Sequence, residues 1–213
     1  YVTDPTTGKA VTKPQYGGTL TIAMTEMPPH TDGCYEIGGA QLLVSAVIER
    51  PAILDWAIDR DVWGLASTYK PPEYFVPHLA DGWEQTDPLT VILHVRKEVY
   101  WYDKPPMNCR ELTADDFVYN FHRVTGTGSG FTETGQHAEF MGYGVIESIT
   151  ATDKYTVEFK LKEDVTGKTW YLGFNMPQVI GASYYSDIYP PEVIEEHGDA
   201  QDWRTIVGTG PFM

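Results

Sequence analysis

Several stretches of this chain carry residue types that could do chemistry, and their spacing decides whether they do. Gly167-Lys168-Thr169 ends like a phosphate-binding loop, but that motif needs a glycine five residues before its GK, where Lys162 stands. The glycine-rich run at 125–130 follows a predicted helix, whereas a dinucleotide-binding fingerprint joins the end of a strand to the start of a helix. Neither stretch predicts a phosphate site.

Histidines and paired carboxylates also fail to form a reactive constellation. The six histidines show no HExxH motif and no ligand pair at helical spacing beside a carboxylate. They are His30, His78, His94, His122, His137 and His197. Asp115-Asp116 and Glu195-Glu196 are adjacent on predicted helices and do not face one another, so capping or solvation explains them better than acid/base catalysis. Because no hydroxyl or thiol has a recognisable base partner either, we expect no enzyme, no metal and no cofactor.

Charge and composition restrict the possible partners. The 213 residues include 15 basic and 30 acidic side chains, a net charge of −15, and 42% of the residues are hydrophobic. Such a chain can bury a core, and its acidity argues against nucleic-acid partners, which need clustered basic residues. The two cysteines, Cys34 and Cys109, could form one disulfide in an oxidising compartment, or stay as two unpaired residues in loops, which we favour.

The hydrophobic pattern of the chain predicts a mixture of helices and strands, which would position any functional site. Alternation predicts strands at 19–24, 90–96 and 155–161. Residues 152–154 are predicted to form the turn that joins the last of these to the strand before it. Periodicity predicts a helix at 41–49 with Leu42, Leu43, Ala46 and Val47 on its core face, ended by Pro51. A further short helix is predicted at 192–197, with proline at its start and glycine after its end.

A capped amphipathic helix follows the strand at 90–96. Thr113 with Asp116 three residues later forms a capping-box-like start, and Phe117, Phe121 and Val124 form the apolar face. We expect this face to pack on the side chains of Val91, Leu93 and Val95. The run at 125–135 is predicted to be a flexible surface loop.

These elements occur in a recognisable order. Residues 79–123 read LADGWEQTDPLTVILHVRKEVYWYDKPPMNCRELTADDFVYNFHR, after YGGTLTIAM at 16–24 and before VIESITATDKYTVEFKLKE at 145–163 and VGTGPFM at 207–213. Together they resemble the peptide/nickel/oligopeptide class, family 5, of the extracytoplasmic solute-binding proteins that serve ABC importers. Two departures are local: residues 105–110 lengthen a turn, and Cys109 stands where a small turn residue, usually glycine, is expected.

The resemblance implies an architecture. It is a mixed α/β lobe of the type II periplasmic-binding-protein kind, with the class-specific extra subdomain. Residues 1–15 would form a flexible tether, 16–38 the first strand region of the main lobe, 39–206 the inserted small subdomain and 207–213 the strand that returns to the main lobe. Because relatives have two lobes and this chain does not begin with Met, we expect an incomplete or processed chain that lacks most of the second lobe.

The resemblance also implies a function. The protein would capture oligopeptides or a similar small solute, such as a sugar, an opine or a metal chelate, outside the cytoplasm and deliver it to the permease subunits of an ABC transporter. We expect a monomer, attached to a membrane only through an N-terminal lipid anchor. The alternative is a secreted hydrolase acting on peptide or carbohydrate, which has only the abundant aromatics and carboxylates in its favour.

Two segments are expected to touch the ligand. The loop at 25–28 leaves the carboxyl end of a predicted strand, where open α/β sheets place their ligand crevices, and in the resembling family the segment at 140–143 also approaches the ligand. Glu26 could pair with a cationic group, Met27 and Phe140 could wall an apolar pocket, and the Tyr143 hydroxyl could bond a peptide carbonyl. Alternatively, Met27 and Phe140 are simply core residues.

Overall fold

Two small strand pairs precede the main sheet. The computed structural model describes residues 1–4, 7–13, 17–19, 21, 23, 31–34, 44–64, 72–135, 138, 143–162 and 186–212. Strand β1 (Val2–Thr3) pairs antiparallel with β2 (Ala10–Val11), and both are exposed. Strand β3 (Ala52–Leu54) pairs with β4 (Phe75–Pro77), which follows a 3-10 turn at Pro72–Tyr74. The tether predicted at 1–15 thus contains a short hairpin.

The main sheet forms where the sequence alternates most clearly. Its strands are β5 (Ala80–Asp87), β6 (Thr90–Val95), β7 (Ile146–Asp153) and β8 (Thr156–Leu161). They are all antiparallel and lie in the order β5-β6-β8-β7, so the two hairpins β5–β6 and β7–β8 meet through β6 and β8. The predicted strands at 90–96 and 155–161 are confirmed. The ladder between β5 and β6 continues to Asp87.

One face of this sheet is apolar and buried, as the alternation predicts. Val91 and Leu93 lie opposite Phe159 and Val157 on the neighbouring strand, and all four side chains are buried. The residues between them are more exposed, with His94 on the outer face. Since the side-chain period of a strand is two, this register places Val91, Leu93 and Val95 in one core with Val157, Phe159 and Leu161, and it leaves Ile92 half-buried on the other face.

The capped helix is also confirmed. Helix α1 (Ala114–Thr125) begins at Thr113, whose backbone N–H donates to the Asp116 carboxylate at 2.8 Å, and Gly126 ends it with a φ of 66°. Phe117 and Phe121 are fully buried. Glycine is favoured at 126 because L residues rarely adopt a left-handed backbone, and because a Cβ there would meet the backbone of residue 133 at 2.6 Å.

The helix covers a different part of the sheet from the one predicted. It packs mainly over β7 and β8, and the ring of Phe121 meets that of Phe159 edge to face with centroids 5.0 Å apart. The reason is the strand order: β8 lies between β6 and β7, so a helix centred on this half of the sheet reaches β6 only at its margin. The apolar residues of β6 still belong to the same core.

A second, smaller core surrounds helix α2 (Pro191–His197). Pro190 and Pro191 start this helix and Gly198 ends it at a φ of 86°, as predicted. Its buried members come from two distant parts of the chain: Val44, Ile48, Tyr189, Ile194 and Ala200.

The predicted helix at 41–49 differs from expectation. Of its residues, 44–49 are described, and they form one helical turn in which Ile48 donates to the carbonyl of Val44 at 2.7 Å. Val44 and Ile48 are buried, and Val47 packs half-buried against the smaller core as predicted, whereas Ala46 is half-buried and is not part of that core. The carbonyls of Ala46 and Val47 accept hydrogen bonds from the amides of Phe212 and Gly210. Leu42 and Leu43 lie outside the described residues.

The last residues of the chain thread between two distant segments. Gly210 donates to the carbonyl of Val47 at 2.9 Å, and the carbonyl of Gly208 accepts from the amide of Tyr102 at 3.0 Å. A Cβ on Gly208 would lie 1.8 Å from the Val47 carbonyl oxygen, so this approach requires glycine. The VGTGPF motif therefore encodes a close backbone contact.

Two sequence features of the loops now have explanations. Cys109 has a φ of 59°, a left-handed conformation that explains why glycine is expected at this turn position. The predicted surface loop after α1 is exposed but shaped by contacts, since Ser129 lies 2.9 Å from the ring of His122. Both cysteines are free; Cys34 is buried and Cys109 exposed.

Two further segments singled out in the sequence lie partly or wholly outside the described residues. Of the first predicted strand at 19–24, residues 20, 22 and 24 lie outside the described residues, and 19, 21 and 23 are exposed and form no strand ladder; the GKT sequence at 167–169 also lies outside the described residues. No helix in the described ranges is long and apolar enough to span a membrane.

Candidate ligand-binding site

Of the four residues predicted to touch ligand, the structure describes Tyr143. Its side chain is 2% exposed, at the start of a 3-10 turn (Tyr143–Val145), and its ring centroid lies 6.2 Å from that of Phe121. Its hydroxyl lies 3.1 Å from the Ser186 hydroxyl, and either group can donate. Glu26, Met27 and Phe140 lie outside the described residues. The role of all four stays a prediction.

The residues that follow the first predicted ligand segment are held firmly. Asp32 is fully buried, and its Oδ1 and Oδ2 accept hydrogen bonds from Nη1 and Nη2 of Arg123 at 3.0 and 2.5 Å. The same carboxylate accepts from the amides of Cys34 at 3.0 Å and Ala200 at 2.9 Å. A buried carboxylate is tolerated because these four donors replace its lost hydration.

A buried tyrosine extends this arrangement. The Tyr189 hydroxyl donates to the carbonyl of Thr31 at 3.0 Å and accepts from the amide of Gly33 at 2.8 Å. Its backbone is held by Asn120, whose side chain accepts from the Tyr189 amide at 3.0 Å and donates to the Tyr189 carbonyl at 2.7 Å. We call Asp32, Asn120, Arg123, Asp187 and Tyr189 the buried polar cluster.

The described residues that border both predicted ligand segments lie in contact. A Cβ placed on Gly135 would meet the Sγ of Cys34 at 3.2 Å, so the chain ahead of 140–143 passes against the chain that follows 25–28. Tyr143, just after the second segment, contacts Ser186. Ser186 in turn precedes the residues of the buried polar cluster at 187 and 189. Three distant parts of the sequence therefore converge here.

Burial shapes the electrostatics of this region. Desolvation raises the pKa of the Cys34 thiol to about 11, against the opposing effect of Arg123 and with a further rise from Asp32. Desolvation also raises the pKa of Asp187 to about 6, although the Arg50 guanidinium, 2.5 Å away, acts in the opposite direction. The pKa of Tyr189 lies well above its usual range for the same reason. The thiol and the phenol are therefore neutral at physiological pH.

These groups hold structure instead of reacting. A protonated, buried Cys34 is a poor nucleophile, and nothing in the described ranges groups three or more histidine, cysteine or carboxylate side chains as a metal would need. The described histidines have local partners; His122, for example, lies 3.0 Å from the carbonyl of Ile149, and its burial lowers its pKa. A cavity beside Arg123 and Tyr189 has room for about one water molecule, too little for a solute.

The buried polar cluster was not predicted from the sequence. A signal existed: Asp116, Asn120 and Arg123 recur at helical spacing beside the apolar Phe117, Phe121 and Val124, so a polar stripe runs along a buried face of α1. The partners of that stripe had no such signal. Asp32 and Tyr189 belong to loop segments, 91 positions from Arg123 and 69 from Asn120, and only the folded chain brings them together.

The comparisons with known proteins agree with this architecture. Residues 74–213 match the family model described as bacterial extracellular solute-binding proteins, family 5 Middle. The chain is 28% identical to the probable ABC transporter periplasmic-binding protein SapA of Escherichia coli, across 90% of the chain and 37% of that protein. It is also 28% identical to the peptide transport periplasmic protein SapA of Salmonella typhimurium, across 65% of the chain and 26% of that protein.

A solved structure shows the same fold. The periplasmic binding protein DppA of Helicobacter pylori, in complex with the peptide STSA, superposes with a TM-score of 0.58 at 22% identity, across 86% of this chain and 34% of that one. The chain thus spans from about a quarter to somewhat more than a third of the length of these relatives. Because the family model covers residues 74–213, more than half of the sequence, this chain belongs to the family 5 extracellular solute-binding proteins of ABC importers.

Proposed function

We propose that the protein carrying this chain is a peptide receptor of an ABC importer: it captures oligopeptides outside the cytoplasm and delivers them to the permease subunits. The family match over residues 74–213 carries this proposal, and the relative named as a peptide transport protein supports the ligand class. Recognition of the peptide backbone, which is the same in every peptide, would give affinity without a choice of sequence.

The described residues would supply the rigid frame of the ligand site. The two predicted ligand segments are bordered by residues that contact one another, and these residues are fixed by the buried polar cluster. Rigid support of this kind lowers the entropy that a binding loop loses when ligand arrives. We propose that Glu26, Met27, Phe140 and Tyr143 line this site, with the domain boundaries at 16–38, 39–206 and 207–213.

The ligand class is tested on the intact natural protein that contains this sequence. Native mass spectrometry with an equimolar pool of random tetrapeptides should show saturable one-to-one complexes in which the peptide mass is unchanged. Shortened peptides would instead favour the alternative of a hydrolase. If no peptide binds, the solute belongs to another class. Uptake of labelled tri-alanine by cells with and without the gene tests delivery to the permease.

Two substitutions test the site. Glu26→Ala and Tyr143→Phe should each weaken peptide binding by about 1–3 kcal/mol through loss of a polar partner. Because the Tyr143 hydroxyl also contacts Ser186, the matched control is Ser186→Ala, which removes that contact and keeps the tyrosine. If Ser186→Ala weakens binding as much as Tyr143→Phe does, the hydroxyl acts through the core and not on the peptide.

Two features of the setting also belong to this proposal. We infer that a lipid-bearing residue N-terminal to this sequence anchors the protein outside the cytoplasm and that the receptor is a monomer. Mass spectrometry of the natural N-terminus and light scattering of the purified protein test these two points. A water-exposed, unmodified N-terminus would contradict the anchor.

A further inference from the structure

An ion pair immediately follows the first predicted ligand segment. Asp32 lies four residues after Pro28, the end of that segment, and Arg123 lies in the last turn of α1. Both side chains are almost completely buried, at 0% and 3% exposure. The Arg123 guanidinium donates to both oxygens of the Asp32 carboxylate. This bidentate geometry fixes the relative orientation of the two side chains as well as their distance.

The bonds around this pair tie one short segment to three places. Besides the Asp32 carboxylate, the Thr31 hydroxyl donates to the Ala200 carbonyl at 2.6 Å, and the amide of Gly33 donates to the Tyr189 hydroxyl at 2.8 Å. Residues 31–33 are thus bonded to α1, to Tyr189, which lies two residues before the start of α2, and to Ala200 after α2. None of these bonds lies within a helix or a strand ladder, so their common effect is to set where this segment sits.

Energetics favour a positional role over a stabilising one. Replacing a buried ion pair with apolar residues of similar volume is often neutral or favourable for stability, because the desolvation of two charges offsets much of their attraction. An apolar contact, however, is non-directional and would allow the segment to shift. The Asp32 carboxylate, with its four donors, permits one orientation.

We propose that Asp32, acting through Arg123, is a positioning residue for ligand capture: it fixes the place and direction of residues 31–34, which follow the predicted ligand segment at 25–28 in the chain. The inference rests on the proposed function. Since its side chain is inaccessible, Asp32 touches no ligand. It acts by keeping residues 31–34 in one arrangement, so that the residues following the predicted ligand segment are fixed before ligand arrives.

Arg123→Lys in the intact protein is the test, because lysine keeps the positive charge and cannot make the bidentate hydrogen bonds to the Asp32 carboxylate. We expect about tenfold weaker apparent binding of the random tetrapeptide pool. Without peptide, amide hydrogen exchange should become faster at Cys34 and Ala200, whose N–H groups donate to Asp32. The matched control is Arg110→Lys. Arg110 also pairs with carboxylates near α1, those of Asp116 and Glu192, and none of these residues is bonded to residues 31–34 in the described contacts. This variant should lower the unfolding midpoint and leave both readouts unchanged.

The outcomes separate a positional role from a merely structural one. If Arg123→Lys lowers the unfolding midpoint while peptide binding and exchange at Cys34 and Ala200 match the parent, the proposal is overturned. Should that variant fail to fold, Thr31→Val removes the hydroxyl bond to Ala200 and should move both readouts in the same direction, by less. If the parent binds no tetrapeptide, the proposed function fails, and the exchange experiment still decides whether the ion pair fixes this segment.

Discussion

The sheet-and-helix core and the buried polar cluster are held together in opposite ways. The core joins the strands of the main sheet to α1 through apolar side chains such as Leu93, Phe121 and Phe159, whose contacts have no required direction. The buried polar cluster joins loops to α1 through hydrogen bonds with fixed donors and acceptors. The core therefore supplies stability, whereas the cluster holds residues 31–34 and Tyr189 in place.

The largest expected effect tests the core side of this comparison. Phe121→Ala should cost about 3–5 kcal/mol, because the ring is 1% exposed and its loss leaves a cavity against Phe159. Urea denaturation measures the change. Phe131→Ala is the matched control, since this ring is half-buried and packs beside Tyr119 at the smaller core, and it should cost clearly less. Equal, small losses would show that α1 does not seal the main core.

The next effect concerns a charge in the buried polar cluster. The pKa of Asp187 is about 6 in the folded protein, against about 3.9 in an unfolded chain, so the folded state holds this proton more tightly. That stabilisation is complete below the unfolded pKa and is lost as pH rises through 6. Between pH 4 and pH 7 the parent should therefore lose up to about 3 kcal/mol relative to Asp187→Asn.

Denaturation of both proteins across this pH range measures the difference. Asp153→Asn is the control, because the Asp153 carboxylate accepts from the Tyr155 amide and its pKa is lowered, so its contribution is present throughout this range and is lost only at lower pH; the difference between parent and this variant should stay flat. A free-energy difference between parent and Asp187→Asn that stays flat from pH 4 to pH 7 would mean that Arg50 outweighs burial at this site.

A smaller effect is expected where α1 begins. Thr113→Ala should cost about 1 kcal/mol through loss of the helix cap, well below the cost of emptying the core. Thr113→Ser keeps the hydroxyl and should remain close to the parent. Chemical denaturation of both variants decides, and a loss as large as that of Phe121→Ala would place the stability of this helix in its first turn and not in its packing.

The smallest effect tests the turn that supports Tyr102. Cys109 has a left-handed backbone and donates its amide to the carbonyl of Tyr102, so Cys109→Gly should relieve strain and gain up to about 1 kcal/mol, less the entropy that glycine loses on folding. Cys109→Ala keeps a Cβ and should gain nothing. Thermal unfolding of both variants checks this. Equal midpoints for the two would show that the turn carries no strain.

Local pattern predicted much of the core and little of the cluster. Strand β8 and helix α1 were readable because periods of 2 and 3.6 place their apolar residues on one face, and Thr113 and Gly126 mark the ends of the helix. The strand beneath α1 was not readable. Which strands are neighbours depends on how two hairpins meet, and the alternation in β6 is as clear as that in β8.

The sequence by itself determined the family, the element types and the apolar faces, because these depend on residues close together in the chain or on motifs in a fixed order. Only the tertiary structure decided that Asp32 meets Arg123, that Asn120 holds Tyr189, and that the borders of the two predicted ligand segments lie together. The physical reason is that polar partners carry no periodicity. A carboxylate in a loop has the same local pattern whether it faces water or a guanidinium 91 positions away.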